Sequence, residues 1–117
     1  MNETNFNLED RTFHFAQSIR KYCKNVSQTI INIQDIKQVV RSSGSVAANY
    51  IEANEALSKA DFIYRVKVCR KEAKETALWI NLIDIEDKPE LNLVKSTLAD
   101  EAKQLMLIFN AIIKKSA

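Results

Sequence analysis

Glycine and proline are almost absent from this sequence of 117 residues, which contains one of each. A sheet of many strands needs a turn every few residues, and turns are built largely from these two residue types. The apolar runs are also shorter than the about 18 residues that a membrane-spanning helix requires. These scarcities disfavour a β-rich fold and a membrane protein, and they favour helices joined by short connections.

Histidine and cysteine are too few for the common metal and nucleophile sites. Carboxylate-bridged di-iron bundles need Glu-x-x-His pairs from two helices, whereas His14 is the single histidine. Zinc sites need clustered ligands, and Cys23 and Cys69 lie far apart without a CxxC spacing. Cys23 and His14 could not act as a nucleophile pair, because on one helix they would be separated by about 13 Å along the helix axis, which is too far for contact.

The sequence does not predict a phosphate-binding loop or a pair of catalytic carboxylates either. A single glycine cannot form a GxxxxGK[ST] or GxGxxG loop. Glu52 and Glu55 lie three residues apart beside Asn49 and Asn54, an arrangement more typical of interhelical hydrogen bonds than of an acid–base pair. We therefore expect no catalytic residues, no cofactor and no metal, and a protein that is not an enzyme.

The composition is that of one globular domain spanning residues 1–117, with 46% hydrophobic and 27% charged residues. A chain of this length can bury one core but not two. Its first residues, MNETNFNLEDRTF, lack a basic segment followed by an apolar one. We therefore expect no secretory signal and a cytoplasmic protein with reduced thiols.

Apolar residues recur at helical spacings of three and four along nearly the whole chain. This periodicity predicts four helices, at approximately residues 8–26, 30–56, 59–85 and 89–115. Because the connections between them are short, we expect an all-α, up-down-up-down antiparallel four-helix bundle.

Residues that favour helix starts stand at the predicted breaks. Asn7 is a candidate N-cap for the first helix, and Thr29 or Asn32 for the second. Ser58-Lys59-Ala60-Asp61 resembles a capping box at the start of the third helix. Pro89 suits the first turn of the fourth, where its missing N–H is harmless.

The predicted helices carry more apolar surface than a single bundle needs. On the second helix, the main buried stripe includes Val40, Ala47 and Tyr50, and a second stripe follows Val39, Val46 and Ala53. The third helix has Val66 and Cys69 on its buried side and further apolar residues elsewhere. A helix buried on one side should be polar on the other, so we predict a homo-oligomer, with a widened core or scattered surface residues as the alternative. The predicted interface on the third helix comprises Tyr64, Val68, Leu78, Trp79 and Leu82.

The only glycine lies in the middle of the second predicted helix, within RSSGSVAANYIEANE. Glycine inside a helix costs roughly 1 kcal/mol relative to alanine. We expect close packing at Ser43, Gly44 and Ala47 to offset this cost, with a bulky Phe or Trp from a neighbouring helix filling the space.

Basic residues are concentrated in residues 11–41 and 59–74, whereas residues 84–90 are acidic, although the net charge is only +2. This asymmetry permits a polyanionic partner, and ordinary solvated helix faces are the alternative reading. The candidate nucleic-acid-binding residues are Arg20, Lys21, Lys24, Lys67, Lys71 and Lys74. Phosphate contacts of this kind would carry no base specificity. A protein-interaction scaffold is the competing hypothesis.

Two segments resemble a known protein family: RSSGSVAANYIEAN at residues 41–54 and SKADF at residues 58–62. They are similar to bacterial four-helix-bundle proteins encoded in intervening sequences of large-subunit ribosomal RNA genes. That family includes the accessory variability determinants of diversity-generating retroelements. Ala47 departs from the second glycine that many relatives have.

The resemblance implies a protomer that assembles with itself into a homopentameric ring. For the retroelement determinants it further implies a basic surface that binds nucleic acid, such as structured RNA or a DNA/RNA hybrid, and a reverse transcriptase as partner. It carries over no catalytic residues, and the short apolar runs lead us to expect no membrane partner.

Overall fold

The computed structural model describes residues 8–117, and within this range the chain forms four α-helices and no strand. The helices are α1 (Leu8–Asn25), α2 (Ile30–Asn54), α3 (Lys59–Leu82) and α4 (Asn92–Ser116), and a 3₁₀ turn at Pro89–Leu91 precedes α4. The predicted all-α class and helix count are confirmed. The boundaries differ by three residues at most, at the ends of the helices before and after the acidic loop.

Two of the predicted caps are present with hydrogen bonds. Thr29 Oγ1 accepts from the backbone N–H of Asn32 at 3.1 Å, and Ser58 Oγ accepts from that of Asp61 at 3.0 Å. Pro89 opens the 3₁₀ turn before α4. The alternative of Asn32 as the cap of α2 is wrong, because this residue lies inside the helix and binds two loops. The proposed cap at Asn7 falls outside the described residues.

The four helices form an antiparallel bundle in which each helix packs against its sequence neighbours. α2 packs on α1 and α3, α3 packs on α4, and α1 contacts α4 more loosely, so that α1 and α3 are diagonal. Arg11 closes the loose side with a two-pronged ion pair, its Nε and Nη2 donating to Glu101 at 2.7 and 2.8 Å.

Both apolar stripes of α2 are in contact with the bundle, and the stripe predicted as secondary is the deeper one. Val39 and Val46 are fully buried and Ala53 is nearly so, whereas Val40 and Tyr50 of the predicted main stripe are only half-buried. The reason is that α2 contacts α1 on one side and α3 on the other, so its buried arc is wide. The second stripe of α2 is therefore core, and the inference of a self-association surface there was wrong.

Polar contacts fix the α2–α3 interface. Ser42 and Thr76 are fully buried and their hydroxyls lie 2.7 Å apart, and Arg41 Nη2 donates to the buried Glu72 Oε1 at 3.1 Å. A buried carboxylate needs such a partner because desolvation otherwise penalises its charge. These contacts set the rotation of α2 against α3.

Candidate nucleic-acid interface

The outer face of α3 carries three of the predicted basic residues. Lys67, Lys71 and Lys74 are all exposed, and their spacings of four and three place them on one side of the helix. Cys69 and Thr76, on the opposite side of the helix, are fully buried. The structure therefore brings these three lysines together on solvent-facing surface.

The predicted basic residues of α1 form a separate patch on the diagonal helix. Lys21 and Lys24 are exposed, but the guanidinium of Arg20 folds back against the protein. Its Nη1 donates to the carbonyl oxygen of Ala16 at 3.0 Å and its Nη2 to that of Val40 at 3.3 Å. Within one protomer, the α1 patch and the α3 lysines therefore face apart.

α4 carries lysines that the sequence analysis did not select. Lys103 and Lys114 are exposed, and their spacing of eleven residues, close to three full turns, places them on one face. Lys103 lines an open groove of about 530 Å³ between α3 and α4, together with Lys95, Asn81 and Asn92. The spacing of these lysines could be seen in the sequence. Which side of α4 packs against α3 could not be predicted from it.

The five residues predicted as an oligomer interface do not form one exposed surface. Tyr64, Leu78 and Leu82 are 59%, 50% and 51% exposed, and they share the outer face of α3 with the lysines. Val68 and Trp79 are half-buried, and Trp79 packs against the core. They precede and follow Glu72 by four and seven residues, which places them on the side of α3 that contacts α2.

Gly44 borders a second groove, between α1 and α2, with a volume of about 420 Å³. A Cβ built at Gly44 would meet only the Arg20 Nη2, at 3.2 Å. The expectation that a bulky ring fills this space is therefore wrong within the protomer, because the hydrogen-bonded guanidinium of Arg20 lies there instead. Ser43 is fully buried, Ala47 is half-buried, and exposed Phe13 and Ile51 also line the groove.

The residues considered for catalysis and metal binding are dispersed or buried. Burial raises the pKa of the Cys23 thiol to about 11 and that of Cys69 to about 12, so both stay protonated at neutral pH. His14 Nδ1 lies 2.8 Å from the backbone oxygen of Asp10, and Glu52 and Glu55 are exposed. Among residues 8–117, no group of three or more His, Cys, Asp or Glu side chains could hold a metal ion.

Comparison with known proteins identifies similar sequences and structures. Residues 4–111 match the family model described as 23S rRNA-intervening sequence protein. A crystal structure from Bacteroides thetaiotaomicron, described as a protein with unknown function from the S23 ribosomal protein family, is 29% identical. The alignment covers 91% of this chain and 97% of that one, with a TM-score of 0.78. No curated protein matches. None of the helices described here has the length and apolar character to cross a bilayer.

Proposed function

The chain belongs to the 23S rRNA-intervening sequence protein family, and we propose that this member is a non-enzymatic protein of the cytoplasm that binds structured nucleic acid. The observation that carries the proposal is the row of exposed lysines on α3: Lys67, Lys71 and Lys74. Lysine ammonium groups bind phosphates as point charges, and such contacts supply most sequence-independent affinity. A structured RNA, or a DNA/RNA hybrid, is the proposed ligand.

The charge pattern of the outer face supports a polyanion rather than an ordinary solvated helix. The acidic groups of α3 nearest the lysines, Glu72 and Glu75, both accept from Arg41 of α2, at 3.1 and 3.5 Å. Lys71 lies 3.9 Å from Glu72, and Lys67 and Lys74 stand one turn away on either side. Among residues 8–117, no salt bridge involves Lys67 or Lys74, so the charge of these two lysines is available to a partner. The α1 patch, chiefly Lys21 and Lys24, is a second and more distant contributor.

Replacing the three α3 lysines should weaken binding without unfolding the protein. We expect Lys67→Ala/Lys71→Ala/Lys74→Ala to bind a fluorescein-labelled RNA hairpin at least tenfold more weakly than wild type, as measured by fluorescence anisotropy at low salt. The triple Lys→Arg variant is the matched control and should retain affinity, because the contacts need charge rather than a particular fork geometry. Unchanged binding by the alanine variant would refute the residue assignment, and no binding by wild type would refute the function.

We also propose that the protomers assemble into a homo-oligomer, with the pentamer as the expected form. The apolar α1/α2 groove is the better contact surface, because Phe13 and Ile51 are 57% and 49% exposed there. The predicted set on α3 is less favourable, because lysines stand between its exposed members. A ring would repeat each basic patch around one surface, and affinity would gain from multivalency.

Light scattering on wild type and on Gly44→Leu tests the assembly. The first carbon of a side chain at position 44 meets the end of Arg20, and the position opens onto the groove, so we expect the helix content to remain. If copies meet at the α1/α2 groove, the variant falls to a lower mass than the wild-type oligomer. Leu82→Ser on α3 is the control and should keep the wild-type mass. A monomeric wild type would contradict the proposal.

A protein-interaction scaffold, for example for a reverse transcriptase, is the second candidate function. Exposed Tyr64, Leu78 and Leu82 favour it, since a partner protein could bury them. Such a partner would cover the α3 lysines as well, so it should compete with RNA for this face.

A further inference from the structure

Two hydrogen bonds fix how α3 and α4 lie beside each other. Lys95 Nζ donates to the carbonyl oxygen of Ile83 at 2.8 Å, and Arg70 Nη1 donates to Asn110 Oδ1 at 2.8 Å. The helices are antiparallel, so each step forward on α3 corresponds to one step backward on α4. This register places Lys74 level with Lys103, and Lys67 level with Lys114.

The side of α4 that carries Lys103 and Lys114 is the side that meets α3. Lys103 is seven residues before Asn110, which contacts Arg70 of α3, and a seven-residue step returns to nearly the same direction on a helix. Lys114 follows Lys103 by eleven residues, again nearly the same direction. On α3, Lys67, Lys74 and Asn81 repeat at seven-residue steps. By helix geometry the two rows therefore lie along the two edges of the α3/α4 interface, and Lys103 also lines the groove there.

Most residues that line this groove are polar. The groove has a volume of about 530 Å³ and is lined by Asn81 of α3 and by Asn92, Lys95, Ser96, Ala99, Asp100 and Lys103 of α4. Amide and hydroxyl groups are common partners of phosphate and sugar oxygens in nucleic-acid complexes. Asp100 is the one acidic side chain of the lining.

We propose that the α3/α4 groove binds the sugar–phosphate backbone of a nucleic acid, with Lys67 and Lys74 on one side and Lys103 and Lys114 on the other. This inference rests on the proposed function. It names further binding residues and the direction in which the nucleic acid runs. The lysines lie about 10 Å apart along α3 and about 16 Å apart along α4, at about 1.5 Å per residue. A strand running along the groove would meet positive charge at both levels.

Two double variants with the same change in net charge distinguish binding at this groove from nonspecific electrostatic attraction. Lys103→Gln/Lys114→Gln in the groove and Lys21→Gln/Lys24→Gln on the diagonal helix each lower the net charge by the same amount. All four lysines are exposed, so circular dichroism should show unchanged folding for both variants. Anisotropy titrations with a labelled RNA duplex and with a labelled DNA duplex of equal length give the affinities and their salt dependence.

We expect the groove variant to lose at least tenfold more affinity than the α1 variant, and its log–log salt slope to shrink by about two. Loss on both duplexes indicates phosphate recognition, and loss on RNA alone indicates that the 2′-hydroxyl is also bound; either result supports the groove. Equal losses for the two variants would overturn the groove while leaving the proposed function in place. No binding by wild type would overturn both.

Discussion

Val46→Asp is expected to unfold the protein, and Ala47→Asp is expected to leave it folded. Val46 is fully buried in the α2 core, and its carbonyl accepts the thiol of Cys69 at 3.5 Å. A carboxylate placed there is desolvated in an apolar core, and buried charge of this kind costs at least about 4 kcal/mol. That is a large part of the about 5–15 kcal/mol that stabilises a typical domain.

The neighbouring alanine provides the matched control because it receives the same side chain one position away. Ala47 is half-buried beside the α1/α2 groove, which Arg20 also lines, so a carboxylate there can reach solvent. We expect a loss of about 1 kcal/mol, much of it from helix propensity. Urea unfolding followed by circular dichroism measures both values. A larger loss of unfolding free energy for Ala47→Asp than for Val46→Asp would show that α2 has the rotation predicted from the sequence.

Asn32→Leu is expected to lower the free energy of unfolding by about 3–5 kcal/mol, from the polar groups that it leaves unpaired. The Asn32 side chain is 1% exposed and joins two loops at one end of the bundle. Its Nδ2 donates to the carbonyl oxygens of Ser27 and Asp84 at 3.0 and 2.9 Å, and its Oδ1 accepts from the backbone N–H of Asp84 at 2.9 Å. Leucine can replace none of these bonds.

Asn54→Leu is the control for this substitution. Asn54 is exposed at the other end of α2, and its Nδ2 donates to the Glu9 carboxylate at 2.6 Å. Water can replace that contact, so we expect a loss below about 1 kcal/mol. Chemical denaturation compares the two variants, and similar losses would mean that the Asn32 bridge does not stabilise the bundle.

The helices could be predicted from the sequence because their periodicity, caps and breaks are local properties. The rotation of α2 could not, because Val39 and Val40 begin two apolar stripes of similar quality. Only the neighbouring helices decide between them, through contacts such as Ser42 with Thr76. The local signal was sufficient where one apolar stripe stood alone, as on α1.

The candidate site was predictable only where it depends on one helix and not on contacts between helices. The lysine row of α3 follows from spacing within one helix, whereas its counterpart on α4 depends on the antiparallel register set by Lys95 and Arg70. Gly44 shows the converse error. Its small neighbours suggested tight packing by a bulky ring, but the side-chain atom nearest to a Cβ at Gly44 is Arg20 Nη2, at 3.2 Å, and an open groove lies beside it.

The salt dependence of RNA binding by the wild-type protein tests the central claim most directly. Titrations of a labelled duplex between about 50 mM and about 200 mM salt give the slope of log affinity against log salt concentration. Four groove lysines that neutralise phosphates predict a slope of about −3 to −4, so affinity should fall by about a hundredfold across this range. Absence of binding at the lowest salt, or a slope near zero, would contradict a function based on phosphate contacts.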